Sequence, residues 1–440
     1  MTGPRGDPLT GQMREYGRDP LATMRRWRDA YGDLVPIRFG PFRAHMVFGP
    51  AEVEELLIDH AADYRKSIGT RILIPLLGHG LLTAEGEKWR THRRISAPAF
   101  HRQEIAGYAD TMTRYADEAA ADLRVGDSVD IHRLISALTL RIVARVLFDA
   151  DVGGRVEKVA RLAAEIQDFY FDRFASLRFL IPTWLPTRGN RRLRRAIRRL
   201  DEIVYGIIAD RRGASGDRGD LLSVLLAARD GDKPLSDREV RDEVMTLMLA
   251  GHETTALALT WGFVLLDRWP EVRDRLEAEL LEVLGSEPPT AGHVPRLRYT
   301  EAVVNEALRL YPPAYVTGRE ALRNTTLGGV RVPKRHVVLI SMAAIHRDPR
   351  FFPDPDAFRP ERWLDGLEKR LPRGAFIPFG LGGRKCIGAS FAMLEATIVL
   401  AALARRRRFA VASPDIGAQP AITLRPSGPI AATVGRAAAP

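Results

Sequence analysis

Residues 379–388 read FGLGGRKCIG and hold the one cysteine of the chain, Cys386. Glycines let backbone approach a ligand closely and let several amides point at one atom. Amide donors beside Arg384 and Lys385 favour a thiolate over a thiol. Such a thiolate could attack a substrate as half of a Cys–His pair. It could also bind a soft metal, and a single thiolate suits the axial position of haem iron. A lone cysteine can equally be an inert core residue. One cysteine excludes a disulfide framework and a cysteine-based zinc site, which suits a reducing compartment.

Other side chains with chemical potential lie in several further stretches. The run 244–266, VMTLMLAGHETTALALTWGFVLL, has the length of a membrane span. His252 and Glu253 at its centre make it a buried helix instead. Ser236 and Glu239 form a capping box at its start. Ala250 and Gly251 leave room beside the helix, and Glu253 with Thr254 could hold and pass protons. Thr and Glu in an apolar helix can also be satisfied core polars that bend it. In EALR, Glu306 and Arg309 share one helix face at spacing i, i+3. That helix is expected over 301–310, with Thr300 as N-cap and Pro312 past its end. Arg362 lies in FRPERW, and on the residues alone all three charges would be ordinary surface ion pairs. Trp89 and Arg93 stand at i, i+4 in EKWRTHRR, and Arg319 follows the Glu–Arg helix.

These residues need a scaffold. The 440 residues are 45% hydrophobic, enough for a large core, and carry a net charge of +11. No P-loop, GxGxxG, HExxH or GxSxG is present. Basic residues concentrate in RRLRRAIRRL (191–200) and RRRR (405–408). Leu193, Ile197, Leu200 and Val204 recur at helical spacing, so the arginines form the outer face of an amphipathic helix. Without a zinc-finger or RNA-binding signature, no nucleic-acid partner is expected. Residues 34–48 read as a hairpin, and PAEVEELLID as a helix with Pro50 near its start. The helical period dominates 87–284, with glycine-rich breaks at 213–219 and 285–296. Strands return over 320–343 around a Gly–Gly turn, before a long irregular stretch over 346–378. The pattern predicts a loose N-terminal tail over 1–19. One mainly α domain with a minor β region follows over 20–440, with no leader and no membrane anchor.

FGLGGRKCIG matches F-x-x-G-x-R-x-C-x-G at Phe379, Gly382, Arg384, Cys386 and Gly388, and so resembles the haem-thiolate signature of the cytochrome P450 superfamily. AGHETT resembles that family's [AG]-G-x-[DE]-T, and the Glu–Arg–Arg set and W-x-x-x-R fall in family order. The resemblance implies a triangular helical prism with haem b between the long central helix and the helix after Cys386. It implies that Cys386 ligates the iron, that Phe379 packs near the sulfur and that Gly388 lets the next helix reach the porphyrin. By the same resemblance Trp89, Arg93, Arg319 and Arg384 hold the propionates, Ala250 and Gly251 face the iron, and Glu253 and Thr254 deliver protons. Glu306, Arg309 and Arg362 would be structural.

Arg384 stands where many soluble bacterial members have histidine, which leaves the class of electron donor open. The implied activity is insertion of one atom of O2 into a hydrophobic molecule, with electrons from NAD(P)H through ferredoxin reductase and ferredoxin or a flavodoxin-like donor. A cytoplasmic monomer is expected. The apolar stretches 71–82, 248–251 and 314–318 should line the pocket, with Ile74, Leu77, Ala250, Tyr315 and Val316 as contacts. Their neutrality favours a terpenoid over a fatty acyl chain or polyketide, and Arg71 is the one candidate there to hold a carboxylate. A peroxide-driven fatty-acid hydroxylase and a non-catalytic haem sensor are the rival readings. Both are expected to lack the Glu253–Thr254 pair.

Overall fold

Local signals set the first elements. Asp19 caps the helix Pro20–Tyr31 (α2), accepting from the Ala22 amide at 2.9 Å. A shorter helix, Met13–Arg18 (α1), precedes it. The side chain of Gln12 donates to the Pro4 carbonyl (2.7 Å) and accepts from the Arg38 amide (2.7 Å). The expectation of a loose tail over 1–19 is therefore corrected for residues 3–18. Pairing to a distant strand outweighs the Gly and Pro content. The protein is described here by a computed structural model covering residues 3–150, 153–174, 181–213, 220–230, 233–413 and 415–437. The glycine-rich break expected at 213–219 lies outside the described residues from 214 onward.

The expected hairpin forms from Leu34–Phe39 (β1) and Phe42–Val47 (β2), with Leu34 opposite Val47. Tyr64–Lys66 (β3), Val316–Ala321 (β4) and Val337–Ser341 (β5) complete a five-stranded sheet in the order β1-β2-β5-β4-β3. β4 begins four residues earlier than the strand region read from the sequence. Gly328 and Gly329, both at positive φ, turn a small separate hairpin between Thr325–Leu327 and Val330–Val332.

Helices supply most of the fold. They include Gly86–Ser96 (α3), Arg102–Asp122 (α4), Ile131–Phe148 (α5), Val156–Phe174 (α6) and Arg188–Gly213 (α7). Asp237–Arg268 (α8), Pro270–Leu284 (α9), Arg298–Leu310 (α10) and Ala389–Ala404 (α11) follow. The capping box starts α8 as expected: the Ser236 amide donates to Glu239 (3.0 Å) and the Glu239 amide to the Ser236 hydroxyl (3.3 Å). α8 spans 32 residues, about 48 Å at 1.5 Å per residue, and is packed by α5, α7, α10 and α11. No helix of the described residues is long and apolar enough to cross a membrane.

In α7, Leu193, Ile197, Leu200 and Val204 are buried while Arg191, Arg195, Arg198 and Arg199 face out. The second basic run is not a free patch. Arg405 and Arg406 bond to Asp117 of α4, and Arg408 pairs with Glu277 of α9. Arg407–Val411 also opens a three-stranded sheet with Ala431–Arg436 and Ser128–Asp130 that the sequence pattern did not announce. Between them a short hairpin, Ala418–Pro420 (β6) and Leu424–Pro426 (β7), reaches back toward α6 and α8.

Candidate functional site

The irregular segment 346–378 is held by one carboxylate. Glu306 of α10 is fully buried and accepts five donors. They are Nε (2.8 Å) and Nη2 (2.8 Å) of Arg309, Nε of Arg362 (3.0 Å), the Trp363 indole (2.9 Å) and the Arg359 amide (2.9 Å). Arg309, equally buried, donates onward to the carbonyls of His346 (2.9 Å), Pro355 (2.7 Å) and Ala357 (3.0 Å). His346 then accepts the Ile377 amide at 3.0 Å, two residues before Phe379. Burial, with Arg309 nearby, pulls the imidazole down to about 3, so it stays neutral and can accept. A chain of hydrogen bonds thus runs from the Glu–Arg pair to the cysteine loop. Thr300 does not cap α10, correcting the expected start. The helix begins at Arg298, and Glu279 of α9 accepts from the amides of Tyr299 (2.6 Å) and Thr300 (2.8 Å).

The cysteine loop is a tight fold over the helical stretch that follows Pro50. Gly382 has φ +73°, and a Cβ there would lie 2.2 Å from the Leu57 carbonyl oxygen. The Cys386 amide donates to the Phe379 carbonyl at 2.8 Å. The Cys386 side chain is open to an interior cavity yet enclosed by protein around it. Burial pushes its thiol up, against the pull of the Gly388 amide, Arg93 and Lys385. Gly388 stands at the N-terminus of α11.

Cations collect at one edge of the cavity. Arg384 lies 4.7 Å over the Trp89 ring and pairs with Glu85, while its Nη1 is buried without a partner. Arg319 of β4 donates to its neighbouring Gly318 carbonyl (3.0 Å), and burial lowers it to about 10. Arg93 reaches the Lys385 carbonyl at 2.8 Å. Two further residues were missed in the sequence. Buried Lys66 is lowered to about 7, chiefly by desolvation, and donates to Leu81 and Ala84 carbonyls (3.0 and 2.8 Å). Glu85 accepts the Lys66 amide at 2.7 Å. Nothing in their spacing distinguishes either from an ordinary surface residue.

The middle of α8 lines the same cavity as Cys386. Ala250 and Gly251 are exposed to the space, and the Thr254 hydroxyl donates to the Ala250 carbonyl at 2.8 Å. Glu253 is turned to α6, where it accepts from the Gln167 amide at 2.9 Å. His252 is fully buried, its Nδ1 3.0 Å from the Met248 carbonyl. No group of three His, Cys, Asp or Glu residues placed to hold a metal occurs among the described residues.

The cavity measures 1770 Å³, beyond the roughly 300–1,000 Å³ of an ordinary ligand pocket. Leu77, Ala250, Tyr315 and Val316 line it. Ile74 does not. It sits in the one-turn helix Ile74–Leu77 whose other side faces in, and Ile72, Leu73 and Leu76 take the wall positions. Arg71 lines the cavity but is paired with Glu320, which also binds Arg65.

One thiol, an unfilled Arg384 donor and a cluster of cations around a space larger than one small ligand fit a flat macrocycle. It would have a metal at its centre and acid groups at one edge. The sequence profile described as Cytochrome P450 matches residues 1–431. The chain is 41% identical to cyclooctatin synthase of Streptomyces melanosporofaciens over 92% of this chain and 89% of that one. It is 38% identical to cyclooctat-9-en-7-ol 5-monooxygenase of the same organism over the same shares. It is 35% identical to pentalenene oxygenase of Streptomyces avermitilis, over 95% and 93%.

Proposed function

The chain belongs to the cytochrome P450 family and is a monooxygenase, and we propose that Cys386 binds the haem iron and that the substrate is a terpenoid. The observation that carries this reading is the single cavity shared by the Cys386 thiol, the cationic edge and the Ala250–Thr254 face. Arg319, Arg384 and Lys66, with Trp89 and Arg93, would hold the acid groups of the haem. When bound, the haem supplies the activation of dioxygen. The protein's own share is to position and to protonate. The Glu306–Arg309–His346 chain fixes the loop that presents the thiol. Thr254 holds a proton donor at the cavity face, and Glu253 resupplies it from the α6 side. Electrons come from NAD(P)H through a ferredoxin or flavodoxin-like protein, for which exposed Lys385 offers a positive contact. The enzyme works as a cytoplasmic monomer in secondary metabolism.

The terpenoid assignment rests on the wall. Its aliphatic residues and large volume suit a bulky neutral skeleton, and Arg71, the candidate for a carboxylate, is already engaged by Glu320. The names of the three relatives accord with it. Absorbance titration of the haem-loaded protein with a sesquiterpene and with a free fatty acid tests the choice. The sesquiterpene is expected to bind more tightly, by tenfold or more, and Arg71→Ala to leave its affinity unchanged. Tight binding of the fatty acid alone, lost in Arg71→Ala, would overturn the assignment.

A further inference from the structure

The cavity wall contains a polar pair, one member of which also holds Glu253. Gln167 of α6 is buried and lines the cavity, as does Thr423, at the tip of the β6–β7 hairpin. The Gln167 side-chain NH2 donates to Glu253 (2.9 Å) and to the Thr423 hydroxyl (3.2 Å). Around them the wall is aliphatic, with Ala163, Ile166, Leu249 and Ile422 as neighbours.

The hydrogen-bond inventory of this pair is incomplete in a specific way. A primary amide has two N–H donors, and both are used. Its carbonyl oxygen has two lone pairs, and the one contact given to it is a long 3.3 Å from the Thr423 hydroxyl. Thr423 has accepted a bond from Gln167, and its own proton is committed only to that long contact, which a better-placed acceptor can take over. The wall therefore offers one acceptor and one donor side by side. An alcohol, which gives one hydrogen bond and takes one, matches that pair. A carboxylate placed there would meet the charge of Glu253.

The spacing of the pair is fixed by backbone clamps rather than left to side-chain freedom. Tyr315 donates to the Ala421 carbonyl (3.0 Å), the Leu424 amide to the Pro313 carbonyl (2.9 Å) and the Trp261 indole to the Leu424 carbonyl (3.3 Å). Arg425 of β7 pairs with Asp168, the residue next to Gln167, and so ties the hairpin to α6. A polar pair set in place before binding loses little on engaging a ligand.

We propose that Gln167 and Thr423 form a hydroxyl-recognition subsite, so that the substrate is a terpenoid already carrying one alcohol. This rests on the terpenoid reading above. The anchored hydroxyl fixes which carbon of the skeleton faces the Cys386 side. The reaction that supplies the substrate is therefore one that leaves a hydroxyl on the skeleton: water capture at the end of a cyclisation, or an earlier hydroxylation.

The test is absorbance titration of the haem-loaded protein with a cyclic sesquiterpene hydrocarbon and its monohydroxy derivative. The alcohol is expected to bind the parent about tenfold more tightly, the scale of one well-made hydrogen bond in a closed site. Thr423→Val, which keeps shape and loses the hydroxyl, should erase that preference while leaving hydrocarbon affinity unchanged. Thr423→Ser should retain the preference, which separates loss of the hydroxyl from loss of packing. Equal affinity of the parent for both ligands overturns the subsite and leaves the terpenoid reading standing. So does an equal weakening of both ligands in Thr423→Val. If neither sesquiterpene binds and a free fatty acid does, the terpenoid reading falls and the subsite with it.

Discussion

Glu306→Ala should yield a protein that is destabilised by about 3–5 kcal/mol and poor in haem. The substitution leaves Arg309 and Arg362 as buried charges without their carboxylate, and strands the Trp363 indole and the Arg359 amide as well. Domains are stable by only about 5–15 kcal/mol, so the loss is a large fraction of the total. It also falls where it disrupts the site. Arg309 holds the His346 carbonyl, and His346 holds the Ile377 amide just before the cysteine loop. Chemical denaturation followed by tryptophan emission, with haem content measured beside it, reads both effects. A well-folded, haem-replete Glu306→Ala protein would show that the cluster is dispensable.

Removal of the Thr254 hydroxyl should act on chemistry without touching the fold. Thr254 faces the cavity, and its one hydrogen bond is to the Ala250 carbonyl within its own helix. Loss of such a bond costs about 0.5–1.5 kcal/mol at most. A positioned proton donor is worth roughly 10²–10⁴-fold in rate. Thr254→Ala is therefore expected to bind substrate normally and consume electrons. Oxygenated product should fall by about 10²-fold, and hydrogen peroxide should accumulate instead. Thr254→Ser should restore most of the product. Unchanged product per electron pair in Thr254→Ala would remove the hydroxyl from proton delivery.

Features written in neighbouring residues were the ones legible in advance. Ser236 and Glu239 cap α8 as their spacing requires, Gly328 and Gly329 turn a hairpin, and Leu193 to Val204 bury one stripe of α7. Features decided by distant partners were not. Thr300 has the residue type of a helix cap, yet Glu279, on another helix, takes the amides. Ile74 is apolar in an apolar stretch, but one turn of helix is too short for periodicity to say which side faces in. The Gly- and Pro-rich start folds because Gln12 finds Arg38. Cys386, Thr254 and the Glu306–Arg309 pair could be singled out because the short stretches around them resemble the family's motifs. Lys66, Gln167 and Thr423 reach the cavity only through tertiary packing, and no spacing rule marks them.

The central claim is that Cys386 is the axial ligand of a haem in this cavity. It is tested most directly by the reduced carbon monoxide difference spectrum of the haem-loaded protein beside Cys386→Ser. The parent is expected to give the long-wavelength band diagnostic of thiolate ligation. The serine variant, which changes one atom of the side chain, is expected to bind haem and lose that band. A thiolate-type band that survives in Cys386→Ser would contradict the account.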